Sequence, residues 1–240
     1  MRNLAITGCK GRMGRRILVL AIADGKFEVS ALLEHPDAIS GADTLNGIPV
    51  SASLEAMEGC DVLIDFTSPE ASIKHLQYCR DHNIKMVIGT TGFSPEQEED
   101  IRAASAKIPI VFSSNMSVGV NILFQAAQLI AKATPDSYMV RMTEAHHIHK
   151  KDAPSGTAKT LAETITKNSG KPVGPIESIR EGEIIGDHEV IFESGEDLIV
   201  IKHHAKTRDI FARGALVAAE YLIDKTSGLF TMRDVLNLTD

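Results

Sequence analysis

Three histidines fall within four positions, and two lysines follow at once, in the stretch Glu144-Ala145-His146-His147-Ile148-His149-Lys150-Lys151-Asp152-Ala153-Pro154-Ser155-Gly156-Thr157. Imidazole exchanges protons near neutral pH, and an ammonium holds or protonates an anion. The run therefore suits proton transfer to an anionic substrate. Charge from Lys150 and Lys151 is expected to lower the imidazole pKa, keeping the histidine neutral until a dianionic substrate arrives. Pro154-Ser155-Gly156-Thr157 opens a helical segment, where free N–H groups, two hydroxyls and the positive helix end make a carboxylate cradle. Two plainer readings stand beside these: a solvated basic loop, and a serine that only caps its helix. A metal site is the chemical rival. Neighbouring side chains on an extended strand point to opposite faces, so His146 and His147 would not share an ion, and Lys150 would repel it. No metal is expected.

A second cluster lies at the N-terminus. Gly8-Cys9-Lys10-Gly11-Arg12-Met13-Gly14 follows the short apolar run Leu4–Thr7 and precedes a helical pattern over Gly14–Ala23. This is a glycine-rich dinucleotide loop in the expected context: Gly8 for the tight turn, Gly11 for approach of a pyrophosphate, Gly14 for close packing of helix on sheet. Glu34, twenty residues past Gly14, ends the second strand and suits a ribose. A purely structural strand–helix turn is the plainer alternative. Three further loops leave strand ends on the same side: Asp65-Phe66-Thr67-Ser68-Pro69, Gly89-Thr90-Thr91-Gly92 and Ser113-Ser114-Asn115-Met116. Their small hydroxyl and glycine residues suit a ribose and a carboxamide. Each alone is also ordinary turn chemistry.

The elements that must position these clusters follow from hydrophobic spacing. Strand-like runs at Leu4–Thr7, Glu28–Leu33, Val62–Phe66, Lys85–Ile88 and Ile110–Phe112 alternate with helical patterns at Gly14–Ala23, Pro69–Arg80 and Pro95–Lys107. That alternation predicts βαβ units and a buried parallel sheet. Beyond residue 117 the pattern changes. A helix over Val120–Ala133, a strand over Tyr138–Thr143 and a helix over Thr157–Lys167 precede three successive strands, Ile176–Arg180, His188–Phe192 and Leu198–His203, and a closing helix, Phe211–Ile223. This predicts an α+β layer with a mixed or antiparallel sheet. The fold class is α/β in two domains, with a boundary near residue 117.

Composition narrows the function. The 240 residues are 43% hydrophobic and 24% charged, ordinary for a globular protein. No apolar run approaches the ~20 residues of a membrane helix, and the first residues do not resemble a signal peptide. A net charge of −7 and the absence of tryptophan argue against a nucleic-acid partner. The three cysteines, at positions 9, 60 and 79, form no metal or disulfide pattern, which suits a reducing cytoplasm.

Taken together, the glycine loop, Asp65-Phe66-Thr67, Gly89-Thr90-Thr91-Gly92-Phe93, Asn115-Met116-Ser117-Val118-Gly119-Val120-Asn121, the block Glu144–Ala158, Arg180-Glu181-Gly182, Gly186-Asp187-His188 and Gly228–Leu236 resemble the dihydrodipicolinate reductase family almost end to end. The block Glu144–Ala158 is specific to that family; the glycine loop alone is not. The resemblance implies a Rossmann-type domain, residues 1–117 with 209–240 returning to it, and a substrate-binding and oligomerisation domain, residues 118–208, through whose sheets a homotetramer forms. It implies NAD(P)H-dependent reduction of a small cyclic dicarboxylate in the diaminopimelate route to lysine. His146 matches the family's proton donor/acceptor and Lys150 its proton donor. His147, Gly156 and Thr157 match substrate contacts, with Ser155 beside them. Gly8, Cys9, Lys10, Gly11, Arg12, Met13, Glu34, Gly89, Thr90, Thr91, Ser113, Ser114, Asn115 and Met116 match cofactor contacts. One departure concerns the cofactor. Many relatives carry arginine after the ribose-binding acid, where it grips the 2′-phosphate of NADPH; this chain has His35. NADH is therefore expected to be preferred, with Lys10 and Arg12 supplying enough charge for some use of NADPH. A non-catalytic nicotinamide sensor would not need His146 with Lys150. A dehydrogenase of aspartate or homoserine metabolism would share the glycine loop but not Glu144–Ala158.

Overall fold

The computed structural model describes residues 1–238. The chain divides into two compact units, Met1–Ser117 with the segment from Phe211 onward, and Val118–Ile210.

The first unit opens with β1 (Arg2–Thr7), α1 (Arg12–Asp24) and β2 (Phe27–Leu33). A short hairpin follows, β3 (Thr44–Leu45) and β4 (Ile48–Ser51). Then come β5 (Val62–Asp65), α2 (Pro69–His82), β6 (Lys85–Ile88), α3 (Pro95–Ser105) and β7 (Pro109–Phe112). After the second unit, the chain adds α6 (Asp209–Leu222, numbered in chain order), β12 (Gly228–Phe230) and α7 (Met232–Val235). The strands form one sheet in the order β12-β7-β6-β5-β1-β2-β4-β3. Every pairing is parallel except β3 with β4. Strand alternation feeds a core on each face: Leu4, Ile6, Val62 and Ile64 pack with α1 and α6, while Ala5, Leu63, Met86 and Ile88 pack with α2 and α3. Local signals fix the helix ends. Ser68 and Ser94 cap α2 and α3, each followed by proline, and Asn83 and Gly25 close α2 and α1 in the left-handed region.

The second unit contains α4 (Val118–Ala133), β8 (Met139–His146), α5 (Gly156–Ser169), β9 (Val173–Arg180), β10 (Asp187–Glu193) and β11 (Leu198–His204). Its sheet runs β11-β10-β8-β9 and is mixed, with β8 and β9 parallel and the other pairs antiparallel. Val140, Met142, Val190 and Phe192 pack on one face against Val120, Phe124, Leu161 and Ile165 of α4 and α5. The opposite face carries Met139, Leu198 and Val200, which are exposed. Among the described residues, no helix is long and apolar enough to cross a membrane.

Candidate active site

In the second unit β8 runs three residues further than the hydrophobic run suggests, ending at His146. This places Met142, Glu144 and His146 on the buried face. His146 Nδ1 lies 2.5 Å from Glu144 Oε2. Glu144 Oε1 accepts from Arg180 Nη2 at 2.8 Å and from the Ser155 N–H at 3.3 Å. Burial alone would raise the Glu144 pKa; hydrogen bonds from Arg180 and His146 outweigh it and hold the carboxyl below its ordinary range. Burial lowers the His146 pKa most. Glu144 opposes this, and Lys150 and Arg180 push it further down. The direction agrees with the sequence reading, but the principal cause is desolvation rather than the lysines. Lys150 itself is paired with Asp152 at 2.8 Å.

Arg180 was given no role by sequence reasoning, yet it organises the segment. It lies opposite His146 in the β8–β9 register. Its guanidinium also donates to the carbonyls of Lys150 and Asp152, fastening the histidine–lysine loop to the sheet. His188, opposite Glu144 on β10, adds a second buried imidazole with its ring centroid 5.2 Å from that of His146. Burial, with the charge of His146, depresses its pKa to about 4. Ser155 is buried: its Oγ caps α5 by accepting from the Ala158 N–H and also meets His188 Nε2 at 3.2 Å. Its hydroxyl is therefore occupied, and the accessible part of the cradle is Gly156 and Thr157. His147 is half-buried in the turn that follows, which closes with a bond from the Lys150 N–H to the His147 carbonyl. Among the described residues, no group of three or more His, Cys, Asp or Glu has metal-binding placement.

In the first unit, the loop between β1 and α1 borders a cavity of about 650 Å³, also lined by Glu34, His35, Phe66, Thr67 and His75. Gly8 has φ +64°, so the tight turn needs glycine. At Gly14 a Cβ would lie 2.2 Å from the Gly8 carbonyl oxygen; the close approach is of helix to its own loop, not of helix to sheet as the fingerprint suggests. No side chain caps α1 and no acidic residue stands in its first turn. An uncapped, unneutralised helix start fits an anion such as a pyrophosphate. Glu34 is held by two backbone N–H groups, Lys10 at 2.8 Å and His35 at 3.0 Å. Cys9 is fully buried, its N–H donates to the Leu33 carbonyl, and burial pushes its thiol up to about 11. Lys10 Nζ is bound to Asp43 and to the Ala38 carbonyl, each at 2.5 Å, and Arg12 is exposed.

The remaining predicted residues lie at the ends of β6 and β7. Thr90 Oγ1 donates to Asp65 at 2.7 Å and accepts from the Thr67 N–H. Ser113 Oγ donates to the Asn115 carbonyl, the Asn115 side chain accepts from the Ser117 N–H, and Met116 is buried. Asp65 is a site residue that sequence reasoning did not single out. Fully buried, it accepts from Thr7, Thr67, Ser72, His75 and Thr90, tying the end of β1, the loops after β5 and β6, and helix α2 together. Burial would raise its pKa, but the His75 contact and the hydroxyls outweigh this and lower it.

Known proteins resemble the chain over its whole length. Residues 2–116 match the family described as "Dihydrodipicolinate reductase, N-terminus" and residues 119–236 match "Dihydrodipicolinate reductase, C-terminus". The 4-hydroxy-tetrahydrodipicolinate reductase of Nitrosomonas eutropha is 44% identical, with 98% of each chain covered. That of Geobacter sulfurreducens is 39% identical over 99% of this chain and 100% of its own. Among solved structures, the dipicolinate-bound dihydrodipicolinate reductase of Paenisporosarcina sp. TG-14 superposes with a TM-score of 0.84 at 25% identity, covering 96% of this chain and 97% of that one. With both halves matched and identity above 40% along nearly all its length, the chain belongs to the dihydrodipicolinate reductase family and is an NAD(P)H-dependent oxidoreductase.

Proposed function

We propose that this protein reduces 4-hydroxy-tetrahydrodipicolinate to tetrahydrodipicolinate on the diaminopimelate route to lysine, with His146 handling the proton. The observation that carries the reading is the buried constellation of His146, Glu144 and Arg180 beside an accessible Gly156–Thr157 turn. The substrate's 4-hydroxyl and a C3 proton leave as water to give the unsaturated imine, and the reduced nicotinamide, when bound, would supply the hydride that reaches C4 of that imine. The uncapped start of α1 and the Gly8–Met13 loop would hold its pyrophosphate and Glu34 its ribose hydroxyls. Gly89–Thr91 and Ser113–Met116 would complete that contact surface.

With Nδ1–H donating to Glu144, His146 exchanges protons only through Nε2. At rest the imidazole is neutral, in keeping with its lowered pKa. A bound dicarboxylate brings negative charge that favours its protonation, and Nε2 then passes the proton to C3 as charge develops there. Lys150, His147 and the start of α5 hold the carboxylates and offset that charge, and Lys150, as a proton donor, would resupply the proton that leaves His146. NADH is the preferred cofactor, because Glu34 suits free ribose hydroxyls and position 35 lacks arginine. The chain works as a cytoplasmic homotetramer assembled through the open face of the β8–β11 sheet, where Met139, Leu198 and Val200 stand exposed.

The test is cofactor oxidation followed at 340 nm, with substrate generated in situ and NADH and NADPH in parallel. Turnover dependent on substrate is expected with both. No oxidation of either would overturn the reading.

A further inference from the structure

Lys10 is the residue of the glycine loop whose charge would be expected to help a 2′-phosphate, and its surroundings say otherwise. Its backbone N–H donates to Glu34, the ribose-side carboxylate, so the residue stands beside that end of the cavity. Its ammonium is turned toward the segment between β2 and β3, bound by Asp43 Oδ2 and the Ala38 carbonyl. Both side chains of the ion pair are mostly buried, 23% exposed for Lys10 and 17% for Asp43. The hydrogen bond from Lys10 holds the Asp43 carboxyl below its ordinary range, and at 2.5 Å the carboxylate offsets the ammonium's charge.

We propose that Asp43 is a specificity-determining residue: by pairing with Lys10 it withholds that ammonium from the ribose end of the site and so disfavours a 2′-phosphorylated cofactor. The proposal rests on the cofactor reading above. A phosphate arriving there meets Glu34 and a neutralised pair. Without Asp43 it meets Glu34 and a free cation on a flexible four-carbon stem, and that cation can turn from the Ala38 carbonyl to the phosphate. Lys74 also lines the cavity and is the competing cation.

The experiment measures calorimetric affinities of the intact protein for AMP and adenosine 2′,5′-bisphosphate, ligands that carry no nicotinamide, alongside NADH and NADPH. The variants are Asp43→Asn, Lys10→Met, their double mutant and Lys74→Met. Asp43→Asn should raise affinity for the bisphosphate on the order of tenfold, from one unmasked charge pair near a surface. Affinity for AMP should stay within about twofold, a check that the site is still folded. Lys10→Met alone leaves the Asp43 carboxylate unpaired and should lower bisphosphate affinity by a comparable factor, and the double mutant, with both charges removed, should lose the gain and return close to the wild type. Retention of the gain in the double mutant would mean that simple repulsion by Asp43, not release of Lys10, controls the choice. Selectivity unmoved by Asp43→Asn and shifted by Lys74→Met would likewise overturn the proposal. Failure of the wild type to bind NADH at all would strike the cofactor reading rather than this inference.

Discussion

Glu144 and His146 stand two residues apart on one strand, and their side chains meet on the same buried face, Glu144 Oε2 lying 2.5 Å from His146 Nδ1. Alternation makes this possible, since residues i and i+2 share a face. A buried carboxylate on one imidazole nitrogen selects the tautomer and supports the imidazolium when it forms. Arg180 gives that carboxylate a permanent counter-charge at 2.8 Å, so Glu144 stays ionised despite its burial.

Two substitutions separate the proton carrier from its anchor. His146→Gln should fold normally and lose roughly 10²–10⁴ of kcat, the usual contribution of a general acid. Glu144→Gln keeps the shape but presents an amide N–H or a neutral oxygen to Nδ1. It should lower kcat by about 10² or more, as when other orienting carboxylates are neutralised, while the affinity for NADH stays within about twofold. Steady-state kinetics with calorimetric NADH binding checks both. A His146→Gln enzyme retaining more than half of wild-type kcat would remove the residue from the chemistry.

The pKa of His188 gives stability a definite pH dependence. Its folded value, about 4, lies below its ordinary value of 6.5. Between those limits the unfolded chain binds a proton that the folded chain refuses, so stability falls as pH drops from 6.5 toward 4. The contribution lost is about 3 kcal/mol for this group, which is only 4% exposed. His188→Gln should flatten the profile over that window. Urea denaturation at pH 7.0, 5.5 and 4.5 measures it; parallel curves for wild type and variant would show that His188 titrates normally.

The Gly156–Thr157 turn should take a planar dicarboxylate. Pyridine-2,6-dicarboxylate is expected to inhibit competitively against substrate, and Thr157→Val should weaken its binding by about tenfold, the worth of one hydrogen bond to a charged group. Lys150→Ala should weaken it as well and also lower kcat. Titration calorimetry in the presence of NADH reads the affinities. Unchanged binding in both variants would place the carboxylate site elsewhere.

The fold was legible where its signals are local. Serine followed by proline marks two helix starts, and the unbroken runs Leu4–Thr7 and Lys85–Ile88 are central strands of the first sheet. The β3–β4 hairpin is marked in the sequence only by Asn46-Gly47, both at positive φ; strands of two and four residues give too little periodicity to stand out. The residues proposed to handle the proton stand together in the sequence, so their grouping is visible there. The roles of Arg180 and Asp65 are not, because they depend on partners brought by register and by four separate segments. The fate of Lys10 was hidden for the same reason: nothing near it in sequence announces Asp43, thirty-three residues on.

Assembly through the second sheet is open to direct test. Val200 is 46% exposed on the face opposite α4 and α5. Val200→Asp should leave the isolated chain folded, since it removes no core contact, while a charge facing its own copy across a symmetric interface should break the assembly. Light scattering coupled to size exclusion is expected to give a tetramer for the wild type and smaller species for the variant. A variant that remains tetrameric would move the interface off this face.

Position 35 gives the last prediction. The His35 side chain is 71% exposed and turned toward its own loop, Nδ1 accepting from the Asp37 N–H at 3.3 Å. That bond leaves Nε2 as the one ring nitrogen able to donate outward. A 2′-phosphate at this end of the site meets repulsion from Glu34 of roughly 3 kcal/mol per charge pair, taking ~5 Å and an effective dielectric near 20, and a single donor offsets little of it. Arginine is charged at every working pH and grips phosphate with two parallel N–H groups. His35→Arg should therefore raise kcat/KM for NADPH relative to NADH by a factor of several. It acts through a different group from Asp43→Asn, so the two gains should multiply when combined unless both cations compete for the same phosphate oxygens. Kinetics with both cofactors at pH 8 decide the matter. A wild-type enzyme that already prefers NADPH there would show that a cation elsewhere in the site governs the choice, and an unchanged ratio in His35→Arg would show that position 35 does not reach the ribose.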